Sequence, residues 1–321
     1  MAAQYSSDVS PVDHLPGVPD WSTVHQPTGE FGPPIKDCSE WSKFKLSQEQ
    51  IDTFWRDGFL LHVPVLSHED CDRILEDYRY FLDENHSHPG EKMLYEFHRN
   101  QANDPENVLM HALGHWRLTK RFHDLVFLPQ VVVPCSQLIH PDRREVAVRF
   151  WHDQLFAKPA RCGGNVAWHQ DYSYWTRTIP MRHMTVHIAL DDQTEQNGAL
   201  HYIPGSHRWT RNGGLPLPVT DFNFKDMESI KTILTDEERQ EFKPISGNLR
   251  KGEASFHHPL AVHGSYGNKS PSPRRAAVLN YFADGVLSNT DEELLKGSKI
   301  PKGEKMGGQL YPLVYDPNWT K

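Results

Sequence analysis

His169 and Asp171, one residue apart in Trp168-His169-Gln170-Asp171, together with His263, are the residues of this chain whose types and spacing could do the most specific chemistry. Two imidazoles and one carboxylate on one side of an ion form the donor set of a non-haem Fe(II) oxygenase, because they leave positions open for a cosubstrate and dioxygen. A His-x-Asp pair is weak evidence alone. The chain holds 20 histidines, and two further pairs occur, His68-Glu69-Asp70 and His140-Pro141-Asp142. Context separates the three. Ser67 opens an apolar pattern at Ile74, Leu75, Tyr78, Phe81 and Leu82, so Ser67 and Asp70 read as a helix N-cap with its acidic partner and His68 as a first-turn surface residue. His140-Pro141-Asp142 reads as a turn before a strand. His169 and Asp171 instead lie among Trp168, Tyr172, Tyr174 and Trp175, and in an extended segment residues two apart share a face.

Such a site needs elements that bring distant residues together. Ile51, Phe54 and Trp55 lie at helical spacing, Gly58 ends that helix, and Phe59 to Val65 reads as a strand. Val108 to Leu138 carries helical patterning, with Leu109, Ala112 and Leu113 and then Phe122, Leu125 and Val126, so helices are expected through 45–138. Beyond Glu145 short strands follow one another: Arg149 to Ala157, His183 to Leu190, Leu200 to Ile203, Gly252 to Phe256 and Arg275 to Phe282. Helices followed by a block of short antiparallel strands point to a mostly β, α+β domain, a double-stranded β-helix (jelly-roll, cupin-like) barrel with a helical flank. Its open mouth can unite His169 with a histidine 94 residues later, although His257 and His258 rival His263 on numbers alone. Residues 1–44 read as an extended arm or tail, 45–321 as the single barrel domain, and 208–250, with the charged stretch Asp221 to Lys243 helical from Thr235, as a lid.

Composition excludes other classes. Lys+Arg number 34 against 42 Asp+Glu, a net charge of −8 with no long basic run, which disfavours nucleic acid. Met1 to Pro11 has neither a basic nor an apolar leader segment, and no window approaches a membrane span. Cys38, Cys71, Cys135 and Cys162 are scattered without metal or disulfide spacing, so a reducing, cytoplasmic setting is expected. Monomer and homodimer both remain open.

Four passages, in order, resemble the phytanoyl-CoA dioxygenase family of Fe(II)- and 2-oxoglutarate-dependent oxygenases. They are Phe54 to Phe59; Trp168 to Tyr172; Asn197 to His207; and His263-Gly264-Ser265 followed by Arg274. The resemblance implies that His169, Asp171 and His263 bind Fe(II), that Arg274 pairs with the tail carboxylate of 2-oxoglutarate with Ser265 as hydroxyl partner, and that Lys158, before Pro159, lies near the cosubstrate. Arg274 and Arg275 fall on opposite faces of a strand, and the family spacing favours Arg274, whose guanidinium can donate bidentately to a carboxylate. Thr185 and His187 share a strand face and could bond the cosubstrate. The implied reaction consumes O2 and 2-oxoglutarate and releases succinate and CO2. Asp171 stands where halogenating relatives carry a small residue, so hydroxylation is expected.

The substrate is expected to be a small polar metabolite or natural-product intermediate, met by Trp168, Tyr172, Tyr174, Trp175 and Arg177, with Arg182 and His183 nearby. Alternatives are an acyl-CoA substrate, or a jelly-roll metal protein that is an isomerase or a binding protein.

Overall fold

The computed structural model describes residues 15–35, 38–83, 85–218 and 226–320. Ser47 caps α1 (Gln48–Asp57) in a capping box with Gln50, and Gly58 ends it with φ 88°, a left-handed conformation that a side chain would strain. Ser67 likewise caps α2 (His68–Asp77) by accepting from the Asp70 amide, so the first decoy pair is a helix start. The short α3 (Arg79–Leu82) follows. His140 and Arg143 close a turn, Arg143 N donating to His140 O at 2.8 Å, which accounts for the second decoy.

Fourteen strands are described: β1 (Phe59–Pro64), β2 (Glu96–His98), β3 (Met110–Leu113), β4 (Val148–Lys158), β5 (Val166–His169), β6 (Thr178–Ile179), β7 (His183–Ala189), β8 (Leu200–Tyr202), β9 (Ile245–Ser246), β10 (Glu253–His257), β11 (His263–Ser265), β12 (Arg274–Ala283), β13 (Leu287–Ser288) and β14 (Leu313–Tyr315). An eight-stranded sheet runs β1-β10-β7-β12-β4-β3-β2 with β14 also on β4, and a four-stranded sheet runs β5-β11-β8-β9. These are the two sheets of the expected double-stranded β-helix. Helices α4 (Lys120–Leu125) and α5 (Pro129–Leu138) complete the flank, α5 packing on β4, β7 and β14. Residues Met110–Leu113 are strand rather than helix: all four are buried, and a four-residue buried strand carries no periodicity of its own.

Residues 15–35 of the arm are fastened to the flank by buried charges. Asp124 accepts from Thr28 N, Thr28 Oγ1, Gly29 N and Glu30 N at 2.8–3.0 Å, and Asp20 pairs with buried Arg117 at 2.6 Å. Asp124→Ala should therefore release the arm, lowering stability by about 3 kcal/mol in a denaturant titration and opening residues 20–35 to proteolysis. An unchanged digestion pattern would show that Asp124 does not hold it.

Residues 219–225 of the insertion expected to act as a lid lie outside the described residues. Among its described residues none lines the central cavity; Trp209, Leu217, Met227, Ile230 and Leu234 instead pack with Trp168, Ile203 and Val262 behind the smaller sheet. The α6 helix (Asp236–Glu241), capped at Thr235 as expected, lies in this layer. The segment after β13 contributes Leu294 and Leu295 to the cavity wall and is tied back by β6–β13 pairing and by Arg177 Nη1 donating to Glu293 O at 2.8 Å. Among the described residues no helix is long and apolar enough to cross a membrane.

Candidate active site

His169 on β5 and His263 on β11 are direct partners in the smaller sheet's ladder, with ring centroids 4.3 Å apart. A one-turn 3-10 segment (Asp171–Tyr174) follows β5. It sets Asp171 Oδ1 3.4 Å from His169 Nε2 and 3.6 Å from His263 Nε2, so one ligand atom from each residue lies within 4.8 Å of the other two. Strand pairing thus does what sequence distance obscured.

The protonation pattern suits a cation. His169 Nδ1 faces Ala167 O at 2.8 Å and His263 Nδ1 faces Ala261 O at 3.0 Å. A carbonyl can only accept, so Nδ1 carries a proton in each ring and Nε2 is the atom left to act as a ligand. Burial, and next the neighbouring His169, push His263 well below the usual histidine value. Burial pushes the Asp171 carboxyl up, but His263, His169 and His257 outweigh it and hold the group well below the usual range. The residues present fit a divalent metal: a carboxylate and two imidazoles, one ligand atom from each, converge on one point.

The second carboxylate oxygen is also spoken for. Thr185 Oγ1 donates to Asp171 Oδ2 at 2.7 Å, and His257 Nε2 does so at 3.1 Å. His257 Nδ1 faces the Tyr202 hydroxyl at 3.3 Å, which in turn meets Ser255 Oγ at 2.8 Å. So His257, one rival for the distal ligand, orients the carboxylate from the larger sheet, while His258 packs against Trp55 and His207. Thr185, expected near the cosubstrate, spends its hydroxyl on Asp171.

At another part of the same cavity lies a cation without an anion. Arg274 is 2% exposed, and its Nε and Nη2 have no hydrogen-bond partner among the described residues. Burial lowers it to about 10, so it remains charged at neutral pH. Arg275, on the opposite strand face, is engaged by Asp191 at 2.7 and 2.8 Å. Ser265 lines the cavity, and Lys158 lies behind it, with Nζ 2.6 Å from Ser265 Oγ. His187 lines the cavity and holds Gln193 Oε1 at 2.9 Å. Buried guanidinium donors lining a pocket fit a carboxylate such as that of 2-oxoglutarate.

Between and beyond these groups is a cavity of about 460 Å³. Of the residues expected to meet the substrate, Tyr174, Trp175 and Arg177 line this cavity; Trp168 and Tyr172 do not. Trp168 is on the other face of β5 from His169, because side chains alternate, and packs on Phe242 and Tyr266 outside the smaller sheet. Tyr172 is buried in the core with its hydroxyl on Thr178 O at 2.7 Å. The cavity floor comes from β4 residues His152, Gln154 and Phe156 and from His111 and Glu96 on β3 and β2, none singled out from sequence. The period-two run His152, Gln154, Phe156, Lys158 was the available signal.

A double-stranded β-helix with a His-Asp-His cluster and a buried guanidinium in one cavity defines a class, the 2-oxoglutarate-dependent non-haem iron dioxygenases, which use Fe(II), 2-oxoglutarate and O2. The chain belongs to the phytanoyl-CoA dioxygenase (PhyH) family, whose model matches residues 54–276. It is 23% identical over 289 residues to a phytanoyl-CoA dioxygenase domain-containing protein 1 homolog of Dictyostelium discoideum, covering 78% of this chain and 96% of that one. It is 26% identical to an ectoine dioxygenase of Nocardia farcinica, covering 86% and 89%. Its fold matches the non-heme alpha ketoglutarate dependent carbocyclase SnoK from nogalamycin biosynthesis with a TM-score of 0.66 at 19% identity, over 88% of this chain and 100% of that one.

Proposed function

We propose that His169, Asp171 and His263 hold Fe(II), that Arg274 and Ser265 hold the tail carboxylate of 2-oxoglutarate, and that the enzyme hydroxylates an unactivated C–H of a small polar metabolite or natural-product intermediate. The observation that carries this reading is the pairing, in one cavity, of three converging metal donors with a buried guanidinium whose Nε and Nη2 lack an acceptor among the described residues. Iron with 2-oxoglutarate and O2 supplies the power to oxidise such a bond, and succinate and CO2 are the coproducts. The protein supplies placement. Thr185 and His257 fix the carboxylate, Arg274 fixes the cosubstrate, and Tyr174, Trp175, Leu294 and Leu295 wall the reacting carbon from water.

The cavity also supports the small-substrate reading. Its volume is toward the lower end of ordinary ligand sites, about 300–1,000 Å³, and cosubstrate and substrate must share it. Outside the groups assigned above, its charged lining residues among those described are Glu96 and Arg177, and Arg177 is turned to the segment after β13. That is a poor setting for a polyphosphorylated acyl-CoA and a good one for a compact molecule rich in hydrogen-bonding groups.

Adding Fe(II) and 2-oxoglutarate without oxygen should produce a visible charge-transfer band that oxygen discharges with release of succinate. Folded, metal-loaded protein giving neither band nor succinate would remove the oxygenase reading. Thr185→Val should weaken iron binding about 10–100-fold, because the carboxylate loses the donor that aims it. Iron titration monitored by protein fluorescence checks this.

A further inference from the structure

Lys158 is completely buried, and none of its recorded partners is a carboxylate. Its Nζ lies 2.6 Å from Ser265 Oγ, 2.7 Å from Tyr266 O and 3.4 Å from Ser265 O. It stands across the β4–β12 ladder from Arg274, so two buried basic side chains neighbour one another, Arg274 lining the cavity and Lys158 behind Ser265. The place is built for a lysine: a Cβ on Gly163 would fall 2.6 Å from Lys158 Cβ, and one on Gly198 would fall 3.2 Å from its Cδ.

The valences of this cluster decide where the Ser265 proton points. The two carbonyls can only accept. As an ammonium, Lys158 has three N–H groups for its three oxygens; Ser265 Oγ accepts one, and its own proton is free to donate into the cavity. As a neutral amine, Lys158 gives its two N–H groups to the carbonyls and offers a lone pair that takes the Ser265 proton. Ser265 then turns only lone pairs toward an incoming carboxylate. We propose that Lys158 is a positioning residue that sets the direction of the Ser265 hydroxyl, so that binding of 2-oxoglutarate takes up a proton at Lys158. This rests on the reading above, in which Arg274 and Ser265 hold the cosubstrate.

Burial and the Arg274 guanidinium push the Lys158 ammonium well below the usual lysine value in the empty site. The other ionisable groups around it are Arg274 on β12, His187 on β7 near Arg274, His201 on β8, and Glu195 just before β8, which acts on His201 and Tyr266. None presses a carboxylate against Nζ. A bound carboxylate therefore raises the Lys158 value. Below the empty-site value Lys158 is already protonated and affinity is flat with pH. Above it each binding event takes up a proton, and affinity falls with rising pH by up to about tenfold per unit.

The test is a calorimetric titration of the full chain, loaded with Fe(II) and kept free of oxygen, with 2-oxoglutarate. Two buffers of different ionisation heat are compared between about pH 7 and pH 9. Wild type should take up a proton and bind more weakly as pH rises. Lys158→Met should bind about tenfold more weakly at the lower pH and lose both the uptake and the slope. Lys158→Met/Ser265→Ala should bind within about threefold of Ser265→Ala alone, since the two residues act as a unit. Proton uptake that survives in Lys158→Met, or losses that multiply in the double variant, would overturn the proposal. Should Lys158→Met not fold, Ser265→Ala decides, because a pH slope equal to the wild type's in that variant excludes the relay. Wild type giving no heat and no charge-transfer band would instead refute the cosubstrate reading, a distinguishable failure.

Discussion

Asp171→Ala should yield a folded protein with no 2-oxoglutarate turnover, a loss well beyond the about 10–100-fold expected of a residue that only orients a ligand. The carboxylate is the one anionic donor of the triad, and Oδ1 is the atom on which both Nε2 groups converge. Without it two imidazoles remain. The substitution also leaves Thr185 Oγ1 and His257 Nε2 without an acceptor in a buried site, at a cost of about 1–3 kcal/mol each. Stability and catalysis are thus both affected by alanine, and Asp171→Asn separates them. An asparagine can turn its oxygen to Thr185 and His257 and its amide hydrogens to the imidazole Nε2 atoms, filling the metal position with protons. It should be more stable than the alanine variant in thermal unfolding and equally free of succinate release and bound iron. Turnover comparable to wild type in either variant would mean that Asp171 is not a ligand.

How far the site could be read in advance depended on the physics that each residue expressed locally. His169-Gln170-Asp171 was separable from its two look-alikes because capping and turn chemistry are local, and Ser67 and His140 behave as their neighbours dictate. The choice among His257, His258 and His263 was not local. It is made by register: His263 pairs with His169 inside one sheet, whereas His257, opposite Thr185 in the other, approaches the far oxygen of the same carboxylate. Trp168 was misplaced on the substrate side although period-two alternation from His169 already sends it outward. The charge of the insertion marks a solvent face, whereas its apolar minority, Met227, Ile230 and Leu234, packs behind the smaller sheet. The cavity-lining segment around Leu294 and Leu295 has no regular secondary structure to betray it.

Arg274→Met should raise the KM for 2-oxoglutarate about 100-fold or more, since two charge-assisted bonds of roughly 1.5–3 kcal/mol each are removed. The same change should not destabilise the ligand-free protein. Arg274 is buried with Nε and Nη2 unpartnered among the described residues, an arrangement that costs free energy until an anion arrives, and a methionine of similar length removes that cost. Thermal unfolding should therefore show two changes: an equal or higher midpoint without 2-oxoglutarate, and loss of the upward shift that the compound gives the wild type. Arg275→Met is the contrasting case. Its guanidinium already has Asp191 on a partly exposed face, so the substitution should lower stability by up to about 1 kcal/mol and change the KM for 2-oxoglutarate by less than about threefold. Arg274→Lys should fall between, because an ammonium keeps the charge but not the planar fork. Equal kinetic effects at positions 274 and 275 would show that the carboxylate is anchored elsewhere, and a lowered ligand-free midpoint in Arg274→Met would show that this guanidinium is paired in the folded protein after all.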